Sequence, residues 1–296
     1  MQPWNDAPPP DLPPPSLAAR IGGALRLAGI VALTAAALGV FLVGRTLRGW
    51  LGQRVTFHFG AVRWWALGCL RLSGLRPSVR GEPIRAGALV ANHSSWLDIL
   101  ALRAIRLIYF VSKAEVATWP AIGFITRVTG TIFIDRRRVE AKRQEALLRS
   151  RIAHDQLLCF FPEGTSTDGL RVLPFKSSLF SAFYTDGRGT ELQIQPVTLR
   201  YRPARGLPGT FYGWWGTMPF ETNIWNVVTL SRGGTVELVF HPPVTAAEFA
   251  DRKALAEHCR AAIVAGRETV APADAARDPQ TGDPPRAEGR TRAGPC

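Results

Sequence analysis

Cysteine and lysine are both scarce in this 296-residue chain. Its four cysteines (Cys69, Cys159, Cys259 and Cys296) stand singly, with no CxxC pair. That spacing excludes a disulfide scaffold and a cysteine-based zinc finger, and it suits a reducing compartment. The five histidines include no HExxH and no other ligand spacing, so the sequence offers no metal centre. A GxSxG nucleophile elbow is also missing, since Gly164 and Ser166 are followed by Asp168. Only four of the 36 basic residues are lysines. No acidic residue at all lies between Asp11 and Glu82.

The residues present narrow the class. A hydrophobic content of 46% excludes a fully disordered chain. A mean hydropathy of +0.03 excludes a multi-span membrane protein. The length allows a sizeable buried core. The net charge of +13 would suit either nucleic acid or a membrane surface, so its distribution decides. The acid-free stretch holds nine arginines, Arg20, Arg26, Arg45, Arg48, Arg54, Arg63, Arg71, Arg76 and Arg80. It also holds the most apolar run, Leu27 to Val43, without a charge. As a helix that run spans about 25 Å, the short end of a membrane crossing, longer if Arg26 snorkels. A cleaved signal peptide fits poorly, because the leading segment is long, proline-rich and nearly uncharged. A buried helix of a soluble protein fits poorly with arginines on both flanks. The reading that remains is a membrane anchor, spanning or interfacial, with a second helix over 60–75 that carries Trp64 and Trp65. Charge gathered around an apolar anchor points to anionic lipid as partner and away from nucleic acid.

The chain divides into four segments: a disordered proline-rich tail (1–19), an anchoring segment (20–80), an α/β domain (81–270) and a disordered tail (271–296). Within 81–270, short apolar strands at 88–91, 107–111, 131–134, 157–161, 192–199 and 236–240 alternate with helical stretches. The predicted fold is α/β, a mixed sheet flanked by helices, preceded by the hydrophobic helix or helix pair. Ligand sites in such domains lie where strands end.

Polar clusters fall at those places. Asn92-His93-Ser94-Ser95-Trp96-Leu97-Asp98 follows the first strand, and Asp98 lies near enough in sequence to return to His93 and fix its tautomer. Gly130 to Arg138 ends a strand in three arginines. Phe160-Phe161-Pro162-Glu163-Gly164-Thr165-Ser166 ends another in a turn where glycine permits close approach to an anion. Lys176 lies shortly beyond, and Gln195-Pro196-Val197-Thr198 lies on a later strand.

In this order the four clusters resemble the motifs of the glycerolipid acyltransferases, which include the bacterial 1-acyl-glycerol-3-phosphate acyltransferases. The resemblance is close over about 90–199. It implies direct transfer of an acyl group from acyl-CoA or acyl-ACP, the co-substrate, to a lysolipid hydroxyl, with no further cofactor and no metal. His93 would be the general base and Asp98 its orienting partner. Arg136, Glu163, Gly164, Thr165 and Ser166 would bind the acceptor, with Lys176 as an additional cation. Cys159 reads as core. The enzyme would sit on the bacterial inner membrane with its domain on the cytoplasmic side, as the positive-inside rule also suggests. One position departs from the family pattern, which follows Glu-Gly-Thr with an arginine that binds phosphate. Here it is Ser166. The resemblance favours lysophosphatidate as acceptor, giving phosphatidic acid. The wording EGTSTDG…LPFKSSLF resembles instead the branch that acylates lyso-ornithine lipid, which is the alternative.

Overall fold

The computed structural model of the protein describes residues 4–52, 57–113, 117–118, 123, 126, 130–134, 150, 156–185 and 188–268. Chain order begins with helices α1 (Leu17–Leu51) and α2 (Phe57–Leu72). Then come strands β1 (Leu75–Arg80) and β2 (Gly87–Ala91), helix α3 (Leu97–Ile105), and strands β3 (Tyr109–Lys113), β4 (Ile132–Ile134) and β5 (Leu157–Phe160). A 3-10 helix (Ser177–Phe183) leads to the hairpin β6 (Tyr184–Thr185) and β7 (Arg188–Gly189). The long strand β8 (Gln193–Arg202), helix α4 (Phe220–Leu230), strands β9 (Gly234–Phe240) and β10 (Val244–Thr245), and helix α5 (Arg252–Glu268) complete it.

The main sheet runs β1-β9-β8-β2-β5-β3-β4, with β10 paired to β8. Strands β8, β2, β5, β3 and β4 are parallel, and β9 runs against β8. All of β2 and β5 is buried, as unbroken apolar runs demand of central parallel strands. Alternate residues of β2 serve two cores. Leu89 and Ala91 face α2, α3 and α4, whereas Ala88 and Val90 face α5 and the 3-10 helix. The site-bearing loops leave the carboxyl ends of β2 and β5, side by side.

Three expectations change. Residues 4–15 are laid on the domain, although their proline-rich composition predicts disorder. Trp4 is only 7% exposed, packs on Trp215 and lies over Arg171, and Trp215 Nε1 donates to the Ala7 carbonyl at 2.9 Å. Aromatic contact offsets the ordering entropy that the composition alone could not. The anchoring segment ends earlier than residue 80, because β1 pairs with β9 as the edge of the sheet. Arg26 does not snorkel. Its guanidinium donates to the carbonyls of Val228 and Ser231 and so closes the last turn of α4. Arg63 similarly donates to the Ala104 carbonyl at the end of α3. The helical stretches predicted between the strands at 107–111, 131–134 and 157–161, and the tail 271–296, lie largely or wholly outside the described residues.

Helices α1 and α2 form an antiparallel pair. Gly29 and Gly68 let Leu72 and Leu33 approach, and Trp65 Nε1 donates to Thr34 Oγ1 at 2.9 Å. Leu25, Val31, Val43, Trp50, Leu51 and Trp64 remain exposed on the pair. Of the described helices, α1 is long and apolar enough to cross a membrane.

Candidate active site

Strand β2 ends at Ala91, and Asn92 locks the exit from it. The Asn92 amide accepts from Leu199 N and donates to the Leu199 carbonyl, which ties the loop to β8. His93 and Asp98 are brought together as their spacing predicts. His93 Nδ1 lies 2.7 Å from Asp98 Oδ2, and that oxygen also accepts from Ser94 N (2.7 Å) and Ser95 N (2.9 Å). Asp98 is fully buried in the first turn of α3, whereas His93 stays partly open. The imidazole stacks on Phe161 with ring centroids 4.2 Å apart. With Nδ1 committed to the carboxylate, Nε2 is the nitrogen left to take a proton from an acceptor.

The turn after β5 supplies the neighbouring wall. Gly164 has φ of 71°, a conformation that favours glycine, and Lys176 Nζ lies over it. A Cβ at residue 164 would stand 2.5 Å from that ammonium. Lys176 N also donates to the Pro162 carbonyl, so the cation is anchored to the turn by its own backbone. Thr165 and Ser166 are partly exposed beside it. Thr167 returns to the first loop, its N donating to the His93 carbonyl at 3.0 Å.

Glu163 departs from its expected role. It is 2% exposed, and its two oxygens accept from His93 N (2.7 Å) and Leu173 N (2.8 Å). It joins the two loops from behind and does not present itself to an acceptor. Burial is the main cause that pushes its carboxyl up to about 8, against the two backbone donors that pull it down. Arg171, another cation available to compensate for Ser166, is committed. Its guanidinium pairs with the buried Asp168 carboxylate at 2.9 Å, and Trp4 covers it with the ring centroid 4.8 Å away. Arg136 lies outside the described residues. Cys159 is fully buried in β5, and burial pushes its thiol up, which leaves it inert as a nucleophile.

Sequence reasoning missed two contributors. Tyr201 Oη donates to Asp98 Oδ1 at 2.7 Å. The apolar pattern ends at Leu199, so a strand read from hydrophobicity stops short of it. The second is α4, with its leading turn. Trp214 N donates to the Ser94 carbonyl at 2.8 Å, and Asn223 links the Trp96 indole to the Gly213 carbonyl. The mixed Asn, Trp and Thr residues of 214–226 present no clear apolar period that would mark an element.

The geometry is matched by likeness to known proteins. The profile of the family described as Acyltransferase fits residues 76–200. A lyso-ornithine lipid O-acyltransferase of Rhodobacter capsulatus is 49% identical over 273 residues, 88% of this chain and 95% of that protein. A 1-acyl-sn-glycerol-3-phosphate acyltransferase of Neisseria gonorrhoeae is 33% identical over 60% of this chain and 68% of its own. The crystal structure of the 1-acyl-sn-glycerophosphate acyltransferase of Thermotoga maritima shares the fold, with a TM-score of 0.61 at 18% identity over 85% of this chain and 95% of that one.

Proposed function

The chain belongs to the acyltransferase family, and on that premise we propose that it O-acylates lyso-ornithine lipid. The donor is a fatty acyl thioester on CoA or acyl carrier protein. His93 Nε2 takes the proton of the acceptor hydroxyl as its oxygen attacks the thioester carbonyl carbon. Collapse breaks the carbon–sulfur bond, and the imidazolium returns the proton to the leaving thiolate. Asp98 holds the tautomer and steadies the transient charge. Such a base contributes roughly 10²–10⁴-fold.

The observation that carries the acceptor reading lies just after Glu163-Gly164-Thr165. Ser166 stands where a phosphate-binding arginine is usual, Thr167 folds back on His93, and Arg171 is bound to Asp168. Among the described residues, one ammonium, that of Lys176, faces the turn. That is sparse provision for a doubly charged phosphate and adequate for one carboxylate. The name of the Rhodobacter capsulatus relative supports the same acceptor. The second reading, lysophosphatidate, is favoured by Lys176 itself, whose place over Gly164 lets it meet a phosphate, and by the Neisseria relative.

The helix pair fits an interfacial anchor on the cytoplasmic face of the bacterial inner membrane. Both ends of the pair are tied to the domain: Gly23 and Arg26 hold the start of α1 against α4, and α2 runs directly into β1. A hairpin entering and leaving from one side fits that arrangement better than a single crossing. Purified full-length protein given acyl-CoA or acyl-ACP with lyso-ornithine lipid and lysophosphatidate in parallel tests the acceptor. Preferential acylation of lyso-ornithine lipid is expected. Acylation of lysophosphatidate alone selects the second reading, and failure on both sinks both.

A further inference from the structure

The strand of the fourth cluster, β8, sends Gln195 and Thr198 elsewhere. Gln195 serves backbone groups of Glu82, Ile84 and His241, and Thr198 bonds His241 and the Ile263 carbonyl. It is the continuation of the strand that reaches the site. We propose that Tyr201 is a positioning residue for acyl transfer, a neutral donor that sets, through Asp98, the charge felt by His93.

The bonding of Asp98 carries this inference. Oδ2 receives His93, Ser94 N and Ser95 N, all from its own loop. Among the described residues, Tyr201 is the donor to Oδ1. A fully buried carboxylate oxygen without a donor concentrates its charge and strengthens its hold on an imidazolium. With the phenol in place, that charge is shared, and His93 gives up its proton more readily. Other titratable groups near the pair do not replace Tyr201. Glu163 meets His93 only through its backbone N–H, Cys159 lies in β5 with its thiol pushed up by burial, and Tyr212 packs 5.6 Å from the Tyr201 ring while bonding Ser231 Oγ at 2.6 Å. Burial and the neighbouring carboxylate push the Tyr201 phenol well above its ordinary range, which keeps it a donor at working pH.

The inference rests on the reading of His93 as general base, and the test separates the two. In full-length protein in detergent, Tyr201→Phe keeps the ring and removes one oxygen. The acid limb of kcat is expected to move up by about one pH unit, with roughly tenfold less activity below it and an unchanged KM for the acceptor. Tyr212→Phe, a packing neighbour without a bond to Asp98, is expected to leave the limb where it is. An unmoved limb in Tyr201→Phe, or an equal movement in Tyr212→Phe, overturns the positioning role while the His93 reading stands. Full activity in His93→Ala overturns that reading itself.

Discussion

On the His93 side of the site, Asp98 receives four donors, three from its own loop and one from β8. On the side of residues 164–176, the charges are disposed otherwise: Arg171 is neutralised by Asp168 and roofed by Trp4, and Lys176 stands over the turn. The first arrangement holds one geometry and suits a chemical step that is the same for any hydroxyl. The second is assembled from loop and tail segments, and its balance of charge can change without disturbing the first. On the proposed function, chemistry and acceptor choice are therefore separable in this protein, and variants should divide accordingly.

The largest expected effect is on the His93 side. His93→Ala should lower kcat by about 10³-fold or more with any acceptor. The fold should survive, because the backbone of the residue keeps its bonds to Glu163 and Thr167. Activity assays paired with a thermal melt check both halves. A large loss of melting temperature would show that the loop depends on the imidazole, and the division would fail.

Glu163 is the hinge between the two sides, and its effect is intermediate. In Glu163→Gln one of the two backbone N–H groups loses its acceptor, since an amide offers only one oxygen. A buried unpaired donor costs about 1–3 kcal/mol, or roughly 3–10 °C in melting temperature. The pH dependence has a definite sign. Burial raises the folded-state carboxyl to about 8, above its unfolded value. The folded chain therefore binds the proton more tightly, and this stabilisation is full below the unfolded carboxylate range and lost as pH rises toward 8. Wild-type melting temperature should fall between about pH 5 and 8, and the glutamine variant should show a shallower slope. Parallel slopes would mean that Glu163 is charged throughout.

Much of this was legible in the sequence, for physical reasons. Unbroken apolar runs such as 88–91 and 157–161, too short for helices, read as central strands, and sites form in the loops that leave the ends of such strands. The His93–Asp98 bond was legible because its two members are local. Tyr201 was not, because its partner lies 103 residues away and nothing in a period-2 pattern marks a buried hydroxyl. The role of Glu163 was hidden for the same reason, since a carboxylate that binds backbone looks in sequence like one that binds ligand. Arg26 and Arg63 show the limit of charge counting. Both belong to the acid-free stretch, yet each spends its donors on helix carbonyls of the domain, so neither is wholly available to a lipid headgroup. The order given to residues 4–15 depends on Trp4, Trp215 and Arg171 meeting in space, which no window of sequence contains.

Trp4 gives the smallest expected effect and the sharpest separation of the two sides. Its ring covers the guanidinium of Arg171, and the adjoining segment crosses Gly216, where a Cβ would meet Asn5 Oδ1. That turn in turn holds the Ser94 carbonyl through Trp214 N. Removing the ring in Trp4→Ala takes away a contact worth about 0.5–1 kcal/mol and exposes one face of a cation beside the proposed acceptor site. Arg171 keeps Asp168, so the gain in positive potential is modest. The ratio of activity on lysophosphatidate to that on lyso-ornithine lipid should rise by roughly twofold to fivefold, through KM, with kcat on the preferred acceptor little changed. Competition assays with both acceptors in one mixture give that ratio directly. A fall in kcat with no change in ratio would place the tail on the His93 side through Trp214, and the two sides would then be mechanically one.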